Sequence, residues 1–159
     1  MWAHAHYCLL RSQQLKPLLI VDAANVVGSV PDGWWRDRAG AARRLRDALA
    51  AAAAAGLPDG PADLRQPLDV VLVVEGAARR IAEDAVVRSA DTNGAESSGA
   101  DVRVVAAPGS GDDTIVDLVR REGGPRTVAV VTADRGLRDR VVALGARVLG
   151  PRAVRRDPG

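Results

Sequence analysis

Leu18-Leu19-Ile20-Val21 is a run of aliphatic residues with nothing polar between them, and it ends on Asp22. Without alternation, such a run suits a strand buried on both faces, the kind found inside parallel sheets. The chain repeats the device. Asp69 to Val74 closes on Glu75, and Val102 to Ala106 leads through Pro108-Gly109-Ser110-Gly111 into Asp112-Asp113. Thr127 to Val131 ends on Thr132-Ala133-Asp134, and Arg147-Val148-Leu149 is a short fifth run. The first strand is read from about Pro17 to Asp22.

Helical stretches fill the gaps. One is expected over Trp34 to Ala55, with Leu45 and Leu49 spaced i, i+4, and it is stopped by Gly56 and Pro58. Others are expected over Ala77 to Ser89, from Asp112 to Glu122, and over Arg135 to Leu144, where Gly145 ends the run. Val26 to Gly33 reads as a loop because Gly28-Ser29 and Pro31-Asp32-Gly33 punctuate it. Asp91 to Gly99 is polar and rich in Gly and Ser, and is expected to be a mobile loop. Strands alternating with helices imply an α/β fold: three α/β/α layers around a mainly parallel, Rossmannoid sheet of about five strands. The organisation expected is an N-terminal extension over 1–16, one domain over 17–150 and a basic, unstructured tail over 151–159.

Composition narrows what this core and its partners can be. There is no Phe and only one Tyr among 159 residues, so Val, Leu, Ala and Ile must build the core. Lys16 is the sole lysine among 22 basic residues, an arginine bias that reads as the codon usage of a GC-rich genome. A net charge of +2 is weak evidence for an anionic partner. Cys8 is alone, which excludes a disulfide framework and a CxxC metal site. His4 and His6 are too few, and too near a terminus, for a convincing metal site. No apolar run is long enough to span a membrane, and the N-terminus lacks the basic, apolar and cleavage series of a leader, so a reducing cytoplasm is expected.

In a parallel sheet all strand carboxyl ends lie along one edge. There the sequence delivers Asp22, Glu75, Asp112 with Asp113, and Asp134. Clustered carboxylates repel, and so call for a cation or for raised pKa values. Oxygen donors without His or Cys favour Mg²⁺ or Mn²⁺, and such an ion can activate water at a phosphodiester. Each acid also has a purely structural reading. Ser110-x-x-Asp113 resembles a capping box, Asp112 and Asp134 are placed to cap helices, and Glu75 can be a polar strand end. Asp22 ends a strand, so helix capping is not expected to account for it.

Other acidic or nucleotide-binding α/β folds fit less well. Response-regulator receivers and haloacid-dehalogenase-like phosphatases need a lysine beside the acids, and Lys16 lies ahead of the first strand. The latter also want Asp-x-Asp where this chain has Asp22-Ala23-Ala24. Gly109-Ser110-Gly111 has Thr114 at the third glycine position of a dinucleotide fingerprint, and no Gly-Lys-Ser/Thr loop is present.

Asp22-x-x-Asn25 after the first strand, Gly-Asp112-Asp113 opening a helix, and Val-Thr132-Ala-Asp134-Arg135 after a late strand together resemble the NYN branch of the PIN-like ribonucleases, above all its YacP-like group. The resemblance covers about residues 17 to 150. It implies a PIN-like fold and a metal-dependent endoribonuclease acting on single-stranded or structured RNA, leaving 5′-phosphates. It further implies that Asp22, Asp112 or Asp113, and Asp134 are Mg²⁺ or Mn²⁺ ligands. Glu75 is a further candidate metal ligand, at a position where the family is less uniform. By the same resemblance Asn25 orients the first Asp or touches substrate, Thr132 hydrogen-bonds into the cluster, and Asp117, one turn after Asp113, stands in the outer shell.

RNA needs positive charge and stacking surfaces near this edge. Trp34-Trp35-Arg36-Asp37-Arg38 is expected to form the first turn of the helix after the first strand, with Arg135 and Arg138 on the same edge. The alternative is that a Trp staples loop to helix and the arginines form a solvated face. The partners expected are RNA and, in a homodimer, a second copy of the chain. Two further function classes compete with an endoribonuclease: an RNA-binding or ribosome-associated module with little turnover, and a nucleotide phosphohydrolase.

Overall fold

The computed structural model describes residues 16–82 and 102–155. The expected loop over Asp91 to Gly99, the end of the helix expected to Ser89, the His4/His6 pair, Cys8 and the last four residues lie outside this range.

Five strands form the sheet: β1 (Leu18–Asp22), β2 (Asp69–Val74), β3 (Val102–Ala106), β4 (Val128–Val131) and β5 (Arg147–Leu149). Every pairing is parallel, and the spatial order is β3-β2-β1-β4-β5. The unbroken apolar run of β1 has its cause in this placement. β1 is central, and Leu18, Leu19, Ile20 and Val21 are fully buried. Their side chains alternate between two cores. Leu19 and Val21 join Val70, Leu72 and Val131 beneath Ala42, Leu45, Leu49 and Ala53, whereas Leu18 and Ile20 join Val71, Val73 and Val130 beneath Ile115, Val119, Leu137 and Val141. The result is a three-layer α/β/α fold. β3 is an edge strand and only half-buried, which explains why polar Arg103 is tolerated in it.

The helices are α1 (Ala23–Gly28), α2 (Arg38–Ala55), α3 (Gly111–Glu122) and α4 (Arg135–Ala143). α1 corrects the sequence expectation of a loop. Ala23 and Ala24 are strong helix formers, Val26 buries against the sheet, and the Ser29 hydroxyl closes the end by donating to the Val26 carbonyl at 2.6 Å. The helix expected from Trp34 is also divided. Trp34–Arg36 is a separate 3₁₀ turn, and α2 starts only after Asp37, whose side chain accepts the Gly40 N–H at 2.9 Å. Gly33 enables the approach: its φ is 85°, and the Trp34 N–H donates to Asp32 Oδ1 across it. After β2 the chain makes a 3₁₀ turn over Gly76–Arg79 and is helical at 80–82.

A second correction concerns the C-terminal tail. Pro151–Ala153 is a 3₁₀ turn, Val154 packs against the α2 core, and Arg155 donates to Ser29 Oγ at 2.8 Å. Apolar contact from Val154 and the Arg155–Ser29 hydrogen bond tie this stretch to the domain. Among the described residues no helix is long and apolar enough to cross a membrane.

Candidate active site

The strand order reverses direction beside β1: β2 lies on one flank and β4 on the other, while their sequence neighbours lie further out. In open α/β sheets the crevice at such a switch point, at the strand carboxyl ends, is the usual ligand site. Asp22 stands there. It is only 7 % exposed, and burial pushes its carboxyl up to about 6. Two groups oppose that rise: the Thr132 hydroxyl, which donates to Asp22 Oδ2 at 3.0 Å, and the Asn25 backbone N–H, which faces the carboxylate without completing a capping hydrogen bond. The negative charges of Asp112 and Glu75 add to it. Asp22 therefore occupies the position before α1 that a capping residue would take, yet its carboxylate is committed to Thr132 instead.

Thr132, 1 % exposed at the end of β4, orders the site across the β1–β4 junction. Its hydroxyl accepts the Asp134 N–H at 3.1 Å while donating to Asp22. Asn25 ties down the same turn by accepting the Ala133 N–H on its side-chain oxygen at 2.8 Å. The Asn25 side chain thus holds the β4–α4 turn, and only its backbone faces Asp22. Asp134 in turn caps α4 by accepting the Leu137 N–H on Oδ1 at 2.8 Å, the structural role its sequence position allowed.

The remaining acids come from β2 and α3. Glu75 Oε2 accepts the Gly111 N–H at 2.6 Å, so it binds the end of β2 to the first turn of α3. A Cβ at position 111 would come within 2.9 Å of that oxygen, so a side chain there would have to displace the Glu75 carboxylate. Asp112 has its carboxyl raised by burial first, then by Asp134 and Glu75, with Arg140 opposing and Asp113 adding a little. Asp113 is turned differently. It is exposed, its N–H bonds to Ser110 Oγ at 3.4 Å, and its carboxylate pairs with Arg140 at 3.0 Å. Of the two adjacent acids, Asp112 is the one coupled to the cluster. Asp117 is exposed and is not among the charges that perturb Asp22 or Asp112.

The donor set is chemically suited to a hard divalent ion, since every group is a carboxylate, hydroxyl or amide oxygen. Yet among the described residues no three His, Cys, Asp or Glu side chains are gathered closely enough to enclose a metal by themselves.

Of the candidate RNA contacts read from the sequence, Trp34 and Arg38 share a cavity with Glu75. Trp34 is half-buried and Trp35 is 53 % exposed, the two rings meeting edge-on with centroids 6.1 Å apart. Arg38 lies over the Trp34 ring, 5.5 Å from its centroid. Arg36, Arg135 and Arg138 are exposed. A cavity of about 420 Å³ runs from Trp34 and Arg38 to Glu75 and Ser110. A larger one of about 680 Å³, between α2 and the C-terminal turn, contains none of the acids. Sequence reasoning missed Arg140 and the Gly111 N–H. The glycine directly ahead of Asp112-Asp113 was the available signal for the second; nothing local marks the first.

No protein-family model matches the chain, and no curated protein matches it. Among solved structures it is similar to Rae1 (YacP) from Bacillus subtilis, determined as a mutant, with 18% identity over 87% of this chain and 72% of that one, and a TM-score of 0.55. The likeness is one of fold: the chain has a YacP-like architecture.

Proposed function

We propose that this chain is a metal-dependent endoribonuclease of the NYN/PIN-like kind, YacP-like branch, which hydrolyses RNA phosphodiesters at the acidic edge of its sheet. The observation that carries the reading is Asp22: a nearly buried carboxyl at the switch point, raised to about 6 and coupled to Asp112 and Glu75. A strained acid there has a use if a cation or a proton is to be taken up. The Asp22, Asn25, Asp112 and Asp134 motif order and the YacP-like fold point the same way.

Asp22 and Asp112 are the residues that would hold Mg²⁺ or Mn²⁺ directly. Glu75 and Asp134 each have one oxygen engaged by a backbone N–H, so their other oxygens can accept from the ion's waters. The bound ion would lower the pKa of a water and neutralise charge on the phosphate. Thr132 fixes the orientation of the Asp22 carboxylate, and Asn25 keeps the Asp134 turn against β1. Asp113, paired with Arg140, keeps an arginine beside Asp112 and moderates the repulsion there. Trp34, Trp35, Arg36, Arg38, Arg135 and Arg138 would receive the RNA strand by stacking and by phosphate contacts.

The test is cleavage of a varied pool of unstructured RNA by the full chain. With Mn²⁺ it should yield 5′-phosphate products, and EDTA should stop it. An intact pool with tight, metal-independent RNA binding would replace the nuclease with a binding module. Hydrolysis of free nucleoside triphosphates, with oligonucleotides spared, would identify a nucleotide phosphohydrolase.

A further inference from the structure

A cavity lies between α1, the start of α2 and the turn after β2. Its walls are mostly alanine and glycine, with Ala24, Val27 and Ala78 among them, and Trp34 is its one large apolar side chain. Small residues leave the space open, and Trp34, with the Arg38 guanidinium 5.5 Å from its ring centroid, forms the planar part of the lining. At about 420 Å³ it falls within the usual range for small-molecule sites. Glu75 and Ser110 are among its polar lining residues, and these two flank the first turn of α3 that carries Asp112. The cavity is therefore continuous with the acidic edge through Glu75.

We propose that this cavity takes one unpaired nucleobase of the RNA, the one next to the phosphate presented to the acids; this rests on the nuclease reading above. A base is flat and apolar on its faces and polar at its edge, matching a lining that combines an indole with polar groups. Trp34 and Arg38 line the cavity together, and both indole and guanidinium planes are surfaces on which splayed-out RNA bases stack. Ser110, among the lining residues, supplies a hydroxyl that can bond the base edge. A base held inside a duplex cannot enter, so the substrate must be single-stranded at that nucleotide.

Binding of short labelled RNA oligomers, each carrying one abasic position, tests the proposal with the full chain in EDTA, where cleavage cannot interfere. One position should weaken binding about tenfold when its base is removed, the scale of a lost base–aromatic stack. In Ala24→Leu, which fills the cavity from a helical position, that sensitivity should vanish, and Trp34→Ala should lose it too. Circular dichroism of Ala24→Leu guards against a folding effect, since leucine is well tolerated in helices. An abasic scan without a sensitive position overturns the proposal, as does one whose sensitivity survives in Ala24→Leu. Mn²⁺-dependent cleavage alongside a flat scan removes the base site and leaves the nuclease standing. A sensitive position that depends on Ala24 and Trp34, in a protein that never cleaves, keeps the base site and removes the nuclease.

Discussion

Replacing Asp22 by asparagine should stabilise the metal-free protein at neutral pH. The native carboxyl titrates near 6, against an ordinary 3.8. Between those values the native state holds a proton that the unfolded chain has lost, so stability falls as pH rises through this window and the loss is complete above it. At 1.36 kcal/mol per pH unit, the gap sets a penalty of about 3 kcal/mol at pH 7.5. The amide of the Asp22→Asn variant would carry no such penalty. It would still accept from the Thr132 hydroxyl, and the favourable effect of that bond on the carboxylate is already contained in the raised value. A net gain of about 3 kcal/mol is therefore expected at pH 7.5, shrinking towards nothing near pH 4. Urea denaturation of both proteins in EDTA, at half-unit steps from pH 4 to 8, measures the difference. Taking the difference removes the slope contributed by Asp112, whose carboxyl is raised by burial, Asp134 and Glu75 in both proteins. Added Mn²⁺ should raise the melting temperature of Asp22→Asn less than that of the parent, because the gain reports binding to the native state. A variant that is less stable at pH 7.5, by an amount that does not change with pH, refutes the reasoning and returns Asp22 to a structural role ahead of α1.

Other perturbations read single links. Thr132→Val keeps the shape but strips Asp22 of its donor and the Asp134 N–H of its acceptor; it should cost about 1–3 kcal/mol and move the Asp22 titration higher, both visible in the same pH series. Asp37→Ala removes the acceptor for Gly40 N–H at the start of α2 and should cost about 1 kcal/mol, measured as a lower urea midpoint with an unchanged slope. Arg36→Ala with Arg38→Ala should flatten the salt dependence of RNA binding by roughly 0.7 log units per lost phosphate contact. The same double variant should shift stability by no more than about 1 kcal/mol, most of it from the Arg38–Trp34 contact, and an unchanged slope would assign these arginines to a solvated face.

Local sequence determined which residues become strands and what ends them. A run such as Leu18 to Val21 has no polar face to present to water, so it must lie between two layers, and Val128 to Val131 answers to the same logic. Once the sheet is parallel, the acids that close these runs must share an edge, which is why Asp22, Glu75 and Asp134 were legible as a group. Tertiary structure decided the rest. Only strand order sets β1 beside β4, and with it the bond from Thr132 to an aspartate 110 positions earlier. Neighbouring helical residues point about 100° apart, so the packing of α3 on the sheet, and not the Asp112-Asp113 dipeptide, selected Asp112 for the cluster and turned Asp113 to Arg140. The helix at Ala23–Gly28 escaped the sequence because its punctuation resembles a loop, and burial of Val26 outweighed that signal. Trp34 and Glu75 are far apart in the chain and share a cavity because α2 returns across the same face of the sheet that β2 supports. Contacts of this kind depend on how layers stack, and no periodicity within either segment encodes them.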